Sequence, residues 1–147
     1  MSYIIKQLTA ADITEAQQLI HNWQIEDGIT DTDIPDAEYL AVLLSSDSFH
    51  AIVAMDGDLI IGGLTAYELP MFPKAIKEMF LYEISVDERY RQQGIATMLI
   101  DQLKSICAAK NIKIIFVGTE TTNLPAKKLY KASGGSEEDI AWFTYEL

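Results

Sequence analysis

The sequence predicts an α/β (α+β) fold in which a central mixed, mostly antiparallel sheet carries helices on both faces. Strand-like and helix-like segments, judged from the spacing of their apolar residues, follow one another in the order β-α-α-β-β-β-α-β-α-β. This order differs from the strict βα alternation of a doubly wound nucleotide-binding sheet. The 147 residues suit one domain, and no repeat or linker interrupts them, so we expect a single domain over residues 1–147.

The first half of the chain is predicted to hold three strands and two helices. In chain order they are a strand at residues 3–8, a helix at 10–25, a helix from Pro35 to Leu44, and strands at 49–55 and 59–69. Thr9 is expected to cap the first helix, with Asp12 in the first helical turn, where an acidic residue is favourable. Asp56-Gly57-Asp58 is typical of a hairpin turn, and Gly62-Gly63 indicates a bulge or a close approach of the backbone.

The second half is predicted to alternate strands with helices. In chain order they are a strand at residues 79–86, a helix at 95–109, a strand at 113–117, a helix from Asn123 to about Ala132, and a last strand at 140–147. Strict alternation would place Phe80, Tyr82, Ile84 and Val86 on one face of the 79–86 strand and Leu81, Glu83 and Ser85 on the other. Gly134-Gly135 is expected to end the last helix.

The net charge of −11 is confined to the N-terminal half. Residues 1–70 hold twelve acidic side chains and one basic side chain, whereas residues 71–147 hold ten of each. The densest acidic part, residues 26–38, is either a solvated loop or a funnel for a cationic ligand, because a cleft of one sign concentrates ions of the other. The candidate substrate contacts there are Asp31, Asp33 and Asp36. A surface of this sign disfavours nucleic acid as a partner.

Several absences predict a cytoplasmic protein. No apolar run approaches 18 residues, so no membrane partner is expected, and residues 1–6 lack the pattern of a secretory signal. Cys107 is the single cysteine, and a buried structural thiol is favoured over a nucleophile there. His21 and His50 have no partners at metal-ligand spacing, so no metal is expected.

Residues 91–96 have the features of an anion site. They follow an apolar strand-like run and open an amphipathic helix, whose first backbone N–H groups lack partners within the helix. Gly94 removes the Cβ that would block a close approach, and Arg89 and Arg91 bring positive charge to the turn. A phosphate-bearing ligand is one interpretation, and an ordinary strand-to-helix turn is the other.

Two segments resemble the signatures of the GNAT superfamily of N-acetyltransferases. The turn Arg91-Gln-Gln-Gly-Ile-Ala96 looks like its acetyl-CoA signature, Arg/Gln-x-x-Gly-x-Gly/Ala. Downstream, Asn123-Leu-Pro-Ala-Lys-Lys-Leu-Tyr130 looks like the second signature, Asn-x-x-Ala-x-x-Leu-Tyr. Shorter matches at residues 35–40, 66–70 and 81–83 resemble the aminoglycoside 3-N-acetyltransferases of the gentamicin-modifying type.

The resemblance implies acetyl-CoA as the cofactor and a sheet whose middle strands splay to admit its pantetheine arm. It places the diphosphate of the cofactor against Arg91, Gln92, Gln93, Gly94, Ile95, Ala96 and Thr97. It places the pantetheine amides and the thioester carbonyl against the backbone of Ile84, Ser85 and Val86, and it brings Asn123 and Lys127 to the cofactor.

Two residues are candidates for the chemistry. In the resembling family, a tyrosine at the position of Tyr130 lies near the CoA sulfur and can protonate it, while the alternative is a tyrosine packed on the core. Glu83 is the candidate base and a candidate substrate contact, because burying a carboxylate in an apolar strand raises its pKa. The aminoglycoside enzymes carry Asp at the matching position, and the alternative for Glu83 is a structural ion pair.

We therefore expect an acetyl-CoA-dependent N-acetyltransferase that acts on an amine of a cationic small molecule by direct attack on the thioester. The implied acceptor is an aminoglycoside acetylated at its 3-N position, which would make the protein an antibiotic-resistance enzyme. Polyamines and protein or peptide amines carry the same charge and stay open as acceptors. A non-catalytic acyl-CoA-binding module is the remaining alternative. A homodimer is expected, since homodimers are common in the superfamily.

Overall fold

The computed structural model describes residues 2–29 and 33–147. Its elements are β1 (Ile4–Gln7), α1 (Ile13–Glu26), α2 (Ala37–Leu44), β2 (Phe49–Asp56), β3 (Leu59–Pro70), β4 (Lys77–Val86), a 3-10 turn (Glu88–Tyr90), α3 (Ile95–Ala109), β5 (Ile115–Phe116) and α4 (Leu124–Ala132). The predicted order of elements is confirmed from β1 to α4. In the described ranges, no helix is long and apolar enough to cross a membrane.

The five strands form one sheet in the order β1-β2-β3-β4-β5. Neighbouring strands are antiparallel from β1 to β4, and β5 runs parallel to β4. Helix α3 packs on one face of the sheet through Leu99 and Leu103, and α1 and α2 cover the other face through Leu19 and Leu40. The predicted mixed, mostly antiparallel sheet with helices on both faces is therefore confirmed.

Strand β4 contains a β-bulge that changes which of its side chains share a face. Residues 65–66 of β3 pair with Glu83 and Leu81, so Tyr82 has no partner of its own on β3. The extra residue reverses the alternation, because Tyr82 and Glu83 both face the α1 and α2 side while Ile84 packs on the α3 side. The sequence prediction placed Phe80, Tyr82, Ile84 and Val86 on one face of this strand. That grouping was wrong, because strict alternation takes no account of a bulge.

The glycine pair in β3 permits two close approaches of the backbone, as predicted. A Cβ at Gly63 would lie 2.7 Å from the Leu19 side chain and 2.9 Å from the Ile52 carbonyl oxygen. A Cβ at Gly62 would lie 2.9 Å from the carbonyl oxygen of Ser85. Helix α1 and strand β4 therefore approach β3 more closely than any side chain would allow.

The first two helices begin slightly later than predicted. The Asp12 carboxylate accepts hydrogen bonds from the backbone N–H of Thr9 (2.7 Å) and its hydroxyl (3.0 Å), and it pairs with Lys6 (2.9 Å). These contacts close a turn before α1, so Asp12 precedes the first helical residue and Thr9 does not cap the helix. Helix α2 begins after Asp36, whose carboxylate accepts from the N–H three residues on (2.9 Å).

A charged cluster is buried beside the C-terminal end of α3. The fully buried carboxylate of Glu68 on β3 contacts Nε2 of His50 (2.6 Å), Nζ of Lys77 (3.3 Å) and Nζ of Lys110. Burial alone would raise the pKa of Glu68, but the hydrogen bonds from these three partners outweigh burial and lower the pKa to about 2. The cluster joins β2, β3 and β4 to the residue that follows α3.

Residues 140–147, predicted as a last strand, form no strand. They are all exposed, and none of them takes part in a backbone hydrogen bond within the described part of the chain. A strand needs a neighbour for its N–H and C=O groups, and composition alone cannot supply one. This prediction was therefore wrong for the single chain.

Candidate active site

The sheet opens between β4 and β5. These two strands pair only at Met79 with Ile115 and at Phe80 with Phe116. Beyond this point, residues 81–86 of β4 pair with β3 alone, because β5 has ended. The free edge of β4 faces an open groove, so the predicted splay of the middle strands is present. Ile84, Ser85 and Val86 lie along this edge.

The segment from Arg91 to Thr97 presents backbone N–H groups at the start of α3. Gln92 and Gly94 have positive φ angles of 61° and 81°, which turn the chain into the helix. The hydrogen bonds of α3 begin with the Met98 N–H donating to the Gly94 carbonyl oxygen (3.0 Å). No described atom accepts from the N–H groups of residues 92–97. Unpaired N–H groups at the positive end of a helix dipole form an anion site.

Arg91 is held by contacts on both sides of the groove. Its Nε donates to the carbonyl oxygen of Val86 (2.9 Å), and its guanidinium pairs with Glu26 at the end of α1. The second oxygen of Glu26 accepts from the Ser85 hydroxyl (2.5 Å). Glu26 therefore connects the open end of β4 to the turn before α3, while half of the Arg91 side chain stays exposed to a ligand.

A cavity of about 1050 Å³ joins the opened strands to the acidic N-terminal half. Its walls come from α1, α2, β3, β4 and α4, with Glu83 and Ser85 on β4 and Tyr130 on α4. Tyr67 and Tyr82, whose ring centroids lie 5.7 Å apart, line the same cavity. The cavity therefore brings both candidate catalytic residues into one space.

Glu83 is open to the cleft, although the cavity walls remove part of its hydration. This burial raises the pKa of Glu83, and the negative charge of Asp27 raises it further. No cation and no hydrogen-bond donor from the described residues lowers that pKa. The alternative of a structural ion pair thus has no partner within residues 2–29 and 33–147. A carboxylate whose pKa is raised in this way accepts a proton more readily than an ordinary glutamate does.

Tyr130 lies on α4, half-buried against the α3 side of the core and open to the cavity. Burial raises the pKa of Tyr130, so its phenol stays protonated at neutral pH. Its backbone carbonyl oxygen accepts from the N–H of Gly135 (2.8 Å), which fixes the end of α4. Tyr130 therefore packs against the core and also lines the cavity.

The other predicted residues divide between the cavity and structural contacts. Asn123 caps α4 by accepting from the N–H of Ala126 (3.1 Å), and its side chain also lines the cavity. Lys127 pairs with Glu137 (2.9 Å), beyond the end of α4. Asp33 lines the cavity, whereas Asp36 caps α2 beside a separate depression, and Asp31 lies outside the described residues. In the described ranges, no group of three or more His, Cys, Asp or Glu could hold a metal ion.

Sequence reasoning missed the roles of two acidic residues at the end of α1. Asp27 lines the cavity and raises the pKa of Glu83, and Glu26 holds both Ser85 and Arg91. Both residues belong to the acidic run 26–38, which was the available signal. Their partners lie far away in the sequence, on β4 and the turn after it, so only the fold reveals the contacts.

A family model covers most of the chain. The Acetyltransferase (GNAT) family matches residues 12–134. The chain belongs to the GNAT family. Acetyl-CoA is the cofactor of this family, and the opened strands and the turn before α3 are the features that would hold it.

Two solved GNAT structures resemble the whole chain. The aminoglycoside acetyltransferase HMB0005, from an uncultured soil metagenomic sample, is 32% identical, with a TM-score of 0.95 over 100% of this chain and 99% of that one. The aminoglycoside acetyltransferase meta-AAC0020, also from an uncultured soil metagenomic sample and solved with sisomicin, is 27% identical, with a TM-score of 0.93 over 99% and 96%. Neither name specifies which amine is acetylated, so the predicted 3-N position has no support from them.

A curated GNAT relative matches a shorter region. The L-2,4-diaminobutyric acid acetyltransferase of Methylotuvimicrobium alcaliphilum is 30% identical over 95 residues, which is 64% of this chain and 51% of that protein. The chain therefore spans about half the length of this relative.

The GNAT cofactor fits the chemistry of the site. Its diphosphate is an anion, which suits the unpaired N–H groups of residues 92–97 and the Arg91 guanidinium. Its pantetheine amides suit the free edge of β4 at residues 84–86, which lacks a neighbouring strand. A Cβ at Gly94 would meet no atom within 4 Å, so the space in front of the turn is open.

Proposed function

We propose that the protein is an acetyl-CoA-dependent N-acetyltransferase that acetylates an amine of a cationic small molecule, with aminoglycosides as the first acceptor class. The observation that carries this proposal is the single cavity that holds Glu83 and Tyr130 beside the opened strands. The names of the two similar aminoglycoside acetyltransferases support the acceptor class. Acetyl-CoA would supply an acetyl group already activated as a thioester.

Glu83 serves as the base for the acceptor amine in this proposal. An ammonium group must lose a proton before its nitrogen can attack, and the Glu83 carboxylate can take that proton directly or through one water. The raised pKa of Glu83 makes the carboxylate a stronger base than an ordinary glutamate. The negative charge of Asp27 disfavours ionisation of the Glu83 carboxyl, and this keeps the pKa of Glu83 high.

Tyr130 serves as the acid in the same proposal. Its hydroxyl holds a proton at neutral pH, because burial raises the pKa of Tyr130. A departing thiolate needs a proton donor of this kind, and Tyr130 lines the same cavity as residues 84–86 of the opened strand. The backbone of residues 84–86 would orient the donor, so that the amine attacks the thioester directly.

The acidic side of the cavity accounts for a cationic acceptor. Asp27, Asp33 and Glu83 line this space, and a partly desolvated cluster of one sign attracts a polycation. The aromatic walls formed by Tyr67 and Tyr82 add flat apolar surface beside these charges. A small diamine is the second candidate acceptor, because one relative is named as an L-2,4-diaminobutyric acid acetyltransferase.

Three finer points belong to the same proposal. The 3-amino group stays the predicted position of transfer, on the strength of the sequence resemblance. Acetylation of an aminoglycoside would make the protein a resistance enzyme, and its action on such a drug would take place in the cytoplasm. The homodimer expected from the superfamily is the proposed assembly.

The test is a thiol-release assay with four acceptors at matched concentrations: sisomicin, a linear polyamine, L-2,4-diaminobutyric acid and a lysine-containing peptide. We expect the highest kcat/KM with sisomicin, and NMR of the product identifies the acetylated nitrogen. Acetyl-CoA without acceptor sets the background. Thiol release at background with all four acceptors, by a chain that binds acetyl-CoA, would instead establish the non-catalytic acyl-CoA-binding module.

A further inference from the structure

The carboxylate of Glu26, the last residue of α1, contacts two parts of the donor groove at once. Its Oε1 atom pairs with the Arg91 guanidinium, and its Oε2 atom accepts from the Ser85 hydroxyl (2.5 Å). Arg91 begins the turn before α3, and Ser85 lies on the free edge of β4. A negative charge from α1 therefore stands between the two surfaces that suit the diphosphate and the pantetheine of the cofactor.

The Arg91 guanidinium has limited capacity for a further anion. Its Nε donates to the carbonyl oxygen of Val86 (2.9 Å), and its Nη2 pairs with Glu26. A bidentate contact with a phosphate uses two neighbouring N–H donors, and Nη2 belongs to both edges of the guanidinium that can form one. A phosphate that binds Arg91 in this way therefore competes with the Glu26 carboxylate for Nη2.

The side chain of Glu26 can change its partner without a movement of α1. Backbone hydrogen bonds close the end of the helix, from the N–H of Asp27 to the Trp23 carbonyl oxygen (3.0 Å) and from the N–H of Ile29 to the Gln24 carbonyl oxygen (2.9 Å). The Glu26 side chain itself is 37% exposed. Rotation of this side chain is therefore enough to separate its carboxylate from the guanidinium.

The same carboxylate also borders the acceptor side of the large cavity. Glu26, Asp27 and Glu83 all line this cavity, and the charge of Asp27 acts on the Glu83 carboxyl. A Glu26 carboxylate that no longer pairs with Arg91 adds its charge to this group. Because a cavity of one sign concentrates ions of the other, the added charge strengthens the attraction for an ammonium group.

We propose that Glu26 is a positioning residue that serves both substrates by exchanging partners. It pairs with Arg91 in the free protein, and it turns to an ammonium group of the acceptor once the diphosphate of acetyl-CoA takes Arg91. The exchange at Arg91 concerns the donor alone, whereas the acceptor half rests on the proposed function. Each ligand favours the arrangement in which Glu26 has left Arg91, so each promotes binding of the other.

Calorimetry with CoA tests the exchange at Arg91 without turnover. Glu26→Gln removes the competing charge, so its Kd for CoA should be about fivefold lower than that of wild type, the effect of one partly screened charge beside a phosphate. Glu88→Gln is the matched control, because Glu88 is an exposed carboxylate in the 3-10 turn just before Arg91. Its Kd should change less than about twofold. An unchanged or higher Kd in Glu26→Gln would overturn the proposal.

Binding of sisomicin with and without saturating CoA tests the acceptor half. In wild type, CoA should lower the Kd for sisomicin at least about threefold, and sisomicin should lower the Kd for CoA by the same factor. Glu26→Gln should bring this factor close to one, while Glu88→Gln should keep the wild-type value. A factor of equal size in Glu26→Gln, or no coupling in a wild type that binds sisomicin, would overturn the acceptor half.

Two outcomes separate this inference from the proposed function. A wild type that binds CoA but not sisomicin contradicts the aminoglycoside acceptor class, and the acceptor half falls with it; the comparison of CoA affinities still decides the exchange at Arg91. A crystal structure of the CoA complex gives the direct view. We expect Arg91 on the diphosphate and the Glu26 carboxylate turned toward the large cavity, and an intact pair of Arg91 with Glu26 would overturn the exchange.

Discussion

Replacement of Glu83 by Gln tests the assignment of the base, because it removes the carboxylate at nearly constant size. A general base contributes about 10²- to 10⁴-fold, so we expect kcat to fall by about that factor, equivalent to about 3–5 kcal/mol. The loss of one charge beside Asp27 and Asp33 also weakens cation binding by about 1 kcal/mol, which raises the acceptor KM about fivefold. Glu83→Asp should keep part of the activity, since it retains a carboxylate.

The pH dependence of kcat/KM tests the same assignment of Glu83 as the base. Wild-type kcat/KM should fall tenfold for each pH unit below the pKa of Glu83, which lies above the ordinary value of 4.5. Glu83→Gln should lose this acidic limb. Glu38→Gln is the matched control, because Glu38 is exposed on α2 outside the large cavity, and its profile should be unchanged. Thiol release between pH 5 and 9 measures the profiles of both variants. If the fall in kcat/KM at acidic pH persists in Glu83→Gln, Glu83 is not the base.

The remaining predictions concern the acid, the turn and the buried charge cluster. Tyr130→Phe should lower kcat at least about tenfold and leave the acetyl-CoA Kd nearly unchanged, measured by calorimetry; an unchanged kcat would return Tyr130 to a packing role. Gly94→Ala should weaken acetyl-CoA binding and cost about 1 kcal/mol of stability, because Ala resists the φ of 81°, and equal Kd and urea midpoints would contradict this. Glu68→Gln should lower the free energy of unfolding by about 2 kcal/mol at pH 7. The difference between a pKa of about 2 and the ordinary value of 4.5 corresponds to about 3 kcal/mol, and solvent screening of the two partly exposed lysines reduces this figure. Because the folded pKa is lowered, the contribution of Glu68 is complete above pH 4.5 and is lost toward pH 2, so urea unfolding of wild type and variant should converge as the pH falls.

Local features of the site could be predicted from the sequence because their determinants are adjacent residues. Helix α3 occupies residues 95–109 as predicted, since its apolar spacing and the preceding glycine lie within one segment. The open N–H groups before it follow from the same segment. Asn123 caps α4 for an equally local reason.

Features that depend on pairing between distant segments could not be predicted. The bulge at Tyr82 arises from the register of β4 on β3, and it decides that Glu83 faces the cavity. The effect of Asp27 on Glu83 requires α1 to end beside β4. Residues 140–147 have the composition of a strand, yet a strand also needs a neighbour, and no described residue pairs with their backbone.

Amide hydrogen exchange with and without acetyl-CoA tests most directly whether the cofactor binds where the strands open. The N–H groups of residues 92–97 have no acceptor among the described residues, and those N–H groups of residues 84–86 that point away from β3 face the groove. Exchange of both sets should therefore slow when acetyl-CoA saturates the protein. Peptides from β1 and α2 provide the internal reference and should exchange at unchanged rates. Exchange at residues 84–97 that stays the same in saturating acetyl-CoA would contradict the account.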